Sequence, residues 1–312
     1  MKRQIIKIAV GGLLLFGVTK LSAQNTHEFS IFGGSGSSVL AYKVAAGEHA
    51  NGFGGQFGFG YHYSFSPILD FGTGMEFSLY SASFNLDNLN TRYMAVDPSG
   101  DVFDFRSLIR NYKERQRSMM LQIPLMAQYR MGDERQFFAA AGLKIGIPLT
   151  GTYRNSYEKI ENKGYYEYED MEYDTQQFVG FGTFADRDAK GALKFKAALL
   201  LSLETGMKWK LSDALSLYPS IYMDYGLAGT FVKAQNAAPL HFIEYNSNAP
   251  RDFAVNSIVK SKYAQGETFQ SFTNKVTPIA IGIKLRLSLE QDRNETKKAL
   301  RRIFKPREKA SS

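Results

Sequence analysis

The sequence predicts an all-β fold: an eight-stranded antiparallel up-and-down transmembrane β-barrel with short periplasmic turns and long extracellular loops. Three observations predict it. The odd positions Met119, Leu121, Ile123, Leu125, Ala127, Tyr129 and Met131, and again those from Phe137 to Leu149, are all apolar or aromatic. Strict period 2 gives an extended strand one greasy face, and the polar joint Gly132-Asp133-Glu134-Arg135 closes the two runs into a hairpin. Both runs are roughly twice the usual strand length, the span a tilted strand needs to cross a bilayer. The joints between successive runs then alternate between a few residues and about 13, 34, 39 and 45 residues, which is short turns at one end and long loops at the other.

Taken in order, residues 1–23 combine Lys2, Arg3 and Lys7 with an apolar run from Ile8 to Val18 and a small-residue exit at Leu21-Ser22-Ala23. This is a secretory signal, with cleavage expected after Ala23. Residues 24–289 are expected to form the barrel. The first strand, 27–38, is weakly patterned, with Phe29 and Ile31 on its odd face. The second, 51–66, is clear, with Phe53, Phe57, Phe59, Tyr61, Tyr63 and Phe65 at odd positions. A third follows at 70–83 after the tight joint at Pro67. The stretches 84–117 and 154–192 read as long polar loops on either side of the central hairpin. Strands over 193–211 and 215–227 surround the turn Ser212-Asp213-Ala214, a third long loop spans 230–274, and the last strand runs to Leu289. The tail 290–312 is basic, with Leu300, Ile303 and Phe304 at helical spacing, and reads either as disordered or as a short amphipathic helix on a membrane surface.

The formal charge of +8 is unevenly placed. Residues 1–23 carry four basic groups and no acidic one; residues 290–312 carry eight basic and four acidic; the body between is therefore 8 − 4 − 4 = 0. That balance argues against a nucleic-acid surface. With no cysteine there is neither a disulfide framework nor a thiolate metal site.

Odd positions face lipid, so Tyr63, Phe71, Tyr129, Phe137 and Trp209 fall near the short turns, where an interfacial aromatic girdle belongs. Even positions face the lumen. Glu76, Lys144, Glu204, Asp224 and Lys284 reach comparable mid-barrel depth and are expected to pair as a structural charge network; a gated ion path is the sharper alternative. His27, His49, His62 and His241 show no metal-ligand spacing and there is no G-x-S-x-G elbow, so no catalytic, cofactor or metal residues are assigned. Ser247 with His241 near the outer rim is the one pairing a lipid-modifying enzyme would use. The run 165–174 holds five carboxylates and four tyrosines. Tyr165, Glu167, Glu169, Glu172 and Asp174 are surface-contact candidates there, against the plainer reading of a solvated loop tip. The arginines of 84–117 complement this run, which predicts that the two loops pack together over the barrel mouth.

The segment Leu121-Gln-Ile-Pro-Leu-Met-Ala-Gln-Tyr-Arg130, a charged turn, then Phe138-Ala-Ala-Ala-Gly-Leu-Lys-Ile-Gly146 resembles the Bacteroidota outer-membrane β-barrel domain family, which includes the PorT-like proteins. Its hallmark is an Ile-Pro-Leu strand followed by an Ala-Gly strand, and Ser22-Ala23-Gln24 is also in that phylum's style. The resemblance implies an outer-membrane location and no particular activity; PorT-like relatives are linked to secretion and gliding machinery. The expected protein is a monomer that contacts outer-membrane lipid, and a protein partner through its extracellular loops or basic tail. Its role is non-enzymatic, in envelope structure, surface contact or an outer-membrane assembly. A small-solute pore is the alternative, and a lipid-modifying enzyme the second.

Overall fold

The computed structural model describes residues 26–132, 136–230, 240–265, 268–273 and 275–292. The signal segment and the tail beyond Asp292 lie outside the described residues. Eight strands form a ring: β1 (Thr26–Ala41), β2 (Phe53–Ser64), β3 (Leu69–Val96), β4 (Val102–Met131), β5 (Phe137–Tyr166), β6 (Ala198–Met207), β7 (Leu215–Gly226) and β8 (Thr277–Asp292). Each pairs antiparallel with the next. β1 pairs with β8 from Thr26↔Asp292 to Ala41↔Thr277, so the ring closes and no edge is left unpaired. The last strand thus continues three residues past the expected boundary at Leu289. Odd positions project outward through the bilayer zone, where Phe59, Met75, Leu125, Ile147, Leu203, Ile221 and Ile283 are exposed.

Two expectations change. The stretch 84–117 is not a loop. It is the outer half of β3, the five-residue turn Asp97-Pro98-Ser99-Gly100-Asp101 and the outer half of β4. Asp97 Oδ1 accepts from the backbone of Ser99 (2.8 Å) and Asp101 (3.0 Å), and Gly100 supplies the positive φ. Likewise β5 runs on to Tyr166, and a further strand, Gly182–Ala192, pairs with its outer half. A twisted sheet therefore stands well clear of the membrane zone. Its period 2 is interrupted coherently: Asp87 and Asn88, Arg110 and Asn111, and Glu158 and Lys159 are neighbouring pairs in which neither residue is buried. The pairing registers are unchanged across this level, and Asn111, an amide side chain that tolerates positive φ, takes it here.

Second, the mouth is not covered by the loops 84–117 and 165–174. The described residues of the segment 240–276, between β7 and β8, fold beneath the projecting sheet and bury Phe242, Ile243, Phe253, Val255, Ile258, Tyr263 and Phe272 against Phe84, Phe103, Phe105, Ile109, Tyr112 and Ile160. The main apolar core lies here, above the membrane zone, and continues down into the barrel through Tyr80, Met120, Leu200 and Tyr222; a small second cluster, Phe138, Ala140 and Tyr218, sits at the short-turn end.

The closing seam is narrow. Gly282, Gly36 and Gly54 lie in one row across β8, β1 and β2. A Cβ at Gly36 would sit 2.2 Å from the Ile281 carbonyl oxygen and 2.5 Å from Gly282 Cα, so the backbones approach as only glycine permits. Gly36→Val should reduce the folded fraction, read as loss of the heat-modifiable fast band on unboiled gels.

Candidate functional site

Even positions of the bilayer zone meet inside. Lys144 Nζ donates to Glu76 Oε1 (2.9 Å) and Oε2 (3.0 Å) and to Asp224 Oδ2 (2.9 Å), joining β3, β5 and β7 across the lumen. Lys284 Nζ donates to Glu204 Oε2 at 2.7 Å. The five residues read from the sequence as one network therefore form a triad and a pair. Around them Tyr80 accepts from Gln122 Nε2 (2.8 Å), and Arg286 bonds His62 Nε2 and Gln128 Oε1, both at 2.7 Å.

A second cluster at the short-turn end was not foreseen. Glu28 accepts from Arg130 Nη2 (2.8 Å), Tyr218 (2.9 Å) and Ser288 (3.0 Å), Arg130 Nε lies 2.6 Å from Asp70 Oδ2, and Lys208 bridges Glu28 and Glu290. The signal existed, since Glu28, Asp70 and Arg130 all hold even positions. Glu28 was hidden by the weak pattern of the glycine-rich first strand. The cavity left among these lumen side chains measures about 30 Å³, room for one or two waters.

Of the girdle residues, Phe71, Tyr129, Phe137 and Trp209 are exposed on the outward face close to the short turns, and Tyr63 is half-buried against His27. Ser247 and His241 are occupied separately: Ser247 Oγ donates to the Val96 carbonyl (2.7 Å), while the His241 ring stacks on Tyr93 with centroids 3.5 Å apart. Burial lowers the His241 pKa.

At the mouth, side chains of β3, β4 and β5 grip the backbone of 240–265. Tyr93 Oη donates to the Ile243 carbonyl (3.1 Å) and accepts from Tyr245 N (2.8 Å); Asn155 Nδ2 donates to the Val255 carbonyl (3.0 Å); Thr91 bonds both polar groups of Ala264. Glu114, buried above the membrane zone, accepts from Tyr112, Gln116, Ser257 Oγ and Ile258 N. Burial raises its pKa above the ordinary carboxylate range in spite of these donors. At the outermost edge, Arg106 bridges Asp104 and Glu172, both at 2.9 Å, and Lys163 reaches Glu172 at 2.7 Å. The expected attraction between 84–117 and 165–174 is thus present through Glu172, reached across β5 within one sheet rather than as a lid. Tyr165 stacks under Arg106, while Glu167 and Glu169 project outward.

The chain belongs to the outer membrane protein beta-barrel domain family, whose model matches residues 16–232. It is an outer-membrane β-barrel protein. No curated protein matches it. Among solved structures it is similar to Neisserial surface protein A (9% identity, 84% of this chain and 94% of that one, TM-score 0.29). It is also similar to OprG from Pseudomonas aeruginosa (10%, 86% and 96%, 0.28) and to Ail of Yersinia pestis (8%, 86% and 99%, 0.26).

Lys144→Met should leave Glu76 and Asp224 buried without a cation and cost about 3–5 kcal/mol, measured as a lowered urea midpoint in lipid. Adding Glu76→Gln and Asp224→Asn should recover most of it. Glu114→Ala strands four donors, at about 1–3 kcal/mol, and should speed protease cleavage within 240–276. Because the folded state holds the Glu114 proton more tightly than the unfolded chain, the sign of the wild-type pH dependence is fixed. Protection of this segment should increase as pH falls through the raised pKa towards the ordinary carboxylate value. Glu114→Ala should lose that dependence.

Proposed function

We propose that this barrel is a non-enzymatic, non-conducting surface-contact protein that engages a protein partner through the outer edge of its projecting sheet. The observation that carries the reading is where the exposed apolar side chains lie outside the lipid zone. Met94, Val96 and Val102 lie at the far ends of β3 and β4, Tyr168 in the turn after β5, Met171 on the short strand Met171–Tyr173 that follows it, and Phe178, 73% exposed, on the short helix Gln177–Val179 beyond. Apolar and aromatic groups left exposed on an ordered scaffold mark a contact surface. Tyr165, Glu167, Glu169 and Asp174 would form its polar rim, and Glu172 its anchor to Arg106. Two further facts support the non-conducting half: the lumen holds paired charges with little free space, and the mouth is filled by 240–276. A role in a secretion-associated assembly, as the likeness to PorT-like barrels implies, is the narrower form of the proposal.

A photo-crosslinking residue at position 178 in cells should give a discrete protein adduct that one at position 129 in the lipid zone does not. The reconstituted barrel should show no conductance steps in planar bilayers. Recovery of uncrosslinked barrel alone would sink the contact reading, and regular conductance steps would favour the pore.

A further inference from the structure

Most cations far out on the projecting sheet are paired. Arg106, Arg110, Lys159 and Lys163 each have a carboxylate within 4 Å: Asp104 and Glu172 for Arg106, Glu161 for Arg110 and Lys159, Glu172 for Lys163. Arg92, opposite Arg106, and Lys113 are exposed and form no ion pair among the described residues. Next to the membrane the arrangement differs. Arg115 on β4 stands opposite Arg154 on β5, and Arg154 stands opposite Lys190 on the strand Gly182–Ala192. Arg117 lies one step closer to the bilayer, opposite Ser81 and Thr152. All four are exposed, and among the described residues none forms an ion pair. Three like charges directly opposite one another across adjacent strands repel. Among the described residues of their row no carboxylate offsets this, since β3 contributes Ser83 and the neighbouring strand Glu48–Asn51 contributes Ala50; the exposed Asp188 stands one step outward, opposite Ser156, and forms no ion pair with them.

Depth specifies what sits there. Leu79 and Leu149 are the outermost exposed apolar residues of the belt on β3 and β5, and Met119 pairs with Leu79. Arg117 and Arg115 follow Met119 on the same face by two and four residues, about 7 and 13 Å along the strand and about 5 and 10 Å along the membrane normal after tilt. That range begins within the headgroup layer. Arg115, Arg117, Thr152, Arg154 and Lys190 line a groove of about 600 Å³ that opens outward above the apolar belt.

We propose that this groove binds the phosphate groups of a phosphorylated lipid in the outer leaflet. The acyl chains lie on the belt below, and one phosphate bridges Arg115, Arg154 and Lys190 while Arg117 takes the deeper position. Arginine offers two parallel donors to phosphate oxygens, and a bound anion converts the repulsive row into an attractive one. A lipid fits this groove better than a free anion does because the groove is continuous with the lipid-facing surface.

The test uses the full-length folded barrel in dodecylmaltoside and purified bisphosphorylated lipid A, with bound lipid counted by native mass spectrometry. Arg115→Gln/Arg154→Gln/Lys190→Gln should weaken binding at least about tenfold, given the contribution of each surface cation. Arg106→Gln/Arg110→Gln/Lys163→Gln, with the same charge change farther out, should alter it less than about twofold. Dephosphorylated lipid A should bind the wild-type barrel as weakly as phosphorylated lipid binds the first variant, an arm that stands even if that variant folds poorly. Equal loss in both triple variants, no loss in either, or equal binding of the two lipids overturns the proposal. So does displacement of the lipid by inorganic phosphate at comparable concentration, which would make the groove a soluble-anion site.

Discussion

Ring closure between β1 and β8 is the constraint on which the rest depends. In hydrocarbon every backbone N–H and C=O must find a partner within the protein, and a sheet achieves this only by having no edge. Sixteen residues of β1 pair with β8 and eleven of the same strand pair with β2. The cost of closing so small a ring appears at the glycine row Gly282–Gly36–Gly54, where a side chain would collide with neighbouring backbone. Closure also dictates the interior. Eight strands enclose a space that side chains just fill, and charged side chains there must neutralise one another. Lys144 between Glu76 and Asp224 and Lys284 beside Glu204 are that neutralisation.

Above the membrane the same sheet meets the opposite problem. β3, β4 and β5 continue as strands into water, and their inner face no longer encloses a closed lumen. The face is apolar, through Phe84, Phe103, Phe105, Ile109 and Ile160, and must be covered. The segment 240–276 covers it, and its irregular backbone is satisfied by Thr91, Tyr93, Glu114 and Asn155 projecting from the strands. Segment and sheet need each other: without the segment an aromatic face is exposed, and without those side chains the segment's backbone is buried unpaired. Burial raises the Tyr245 phenol to about 12 within this core.

The membrane part of the fold was legible because lipid on one side and packed polar groups on the other impose unbroken period 2. Counting residues from the short turns placed Glu76, Lys144 and Asp224 at one depth, and they do meet. The projecting part was misread as loop for two physical reasons. Its outward residues are polar because they face water, so the composition looks like a loop. Its alternation changes phase at Asp87–Asn88, Arg110–Asn111 and Glu158–Lys159, so no single parity fits either half of the hairpin. A local signal was nevertheless present: Asp97-Pro98-Ser99-Gly100-Asp101 is a tight turn by composition, with Phe103, Phe105, Ser107 and Ile109 alternating after it. The cover formed by 240–276 carries no periodic signal, because its packing is set by the surface it meets.

Net charge misled in a related way. The body sums to zero, which argued against a basic surface, yet the structure sorts its charges by height. Lumen charges cancel locally. On the outward face the acidic groups concentrate towards the distal end, where Asp104, Glu161 and Glu172 pair with cations and Glu167, Glu169 and Asp170 face water. The cations beside the bilayer form no ion pair among the described residues. A sum over the sequence cannot reveal such a gradient, because sequence neighbours such as Glu114 and Arg115 point to opposite faces: one into the core under the mouth, the other towards the headgroups. Alternation does separate them once the strand is recognised. The electrostatic asymmetry of the molecule is therefore a consequence of strand phase: Arg115 and Arg117 keep the outward parity of the barrel below, while Arg154 joins them because a bulge at Met119–Met120 shifts the register of β5 by one residue.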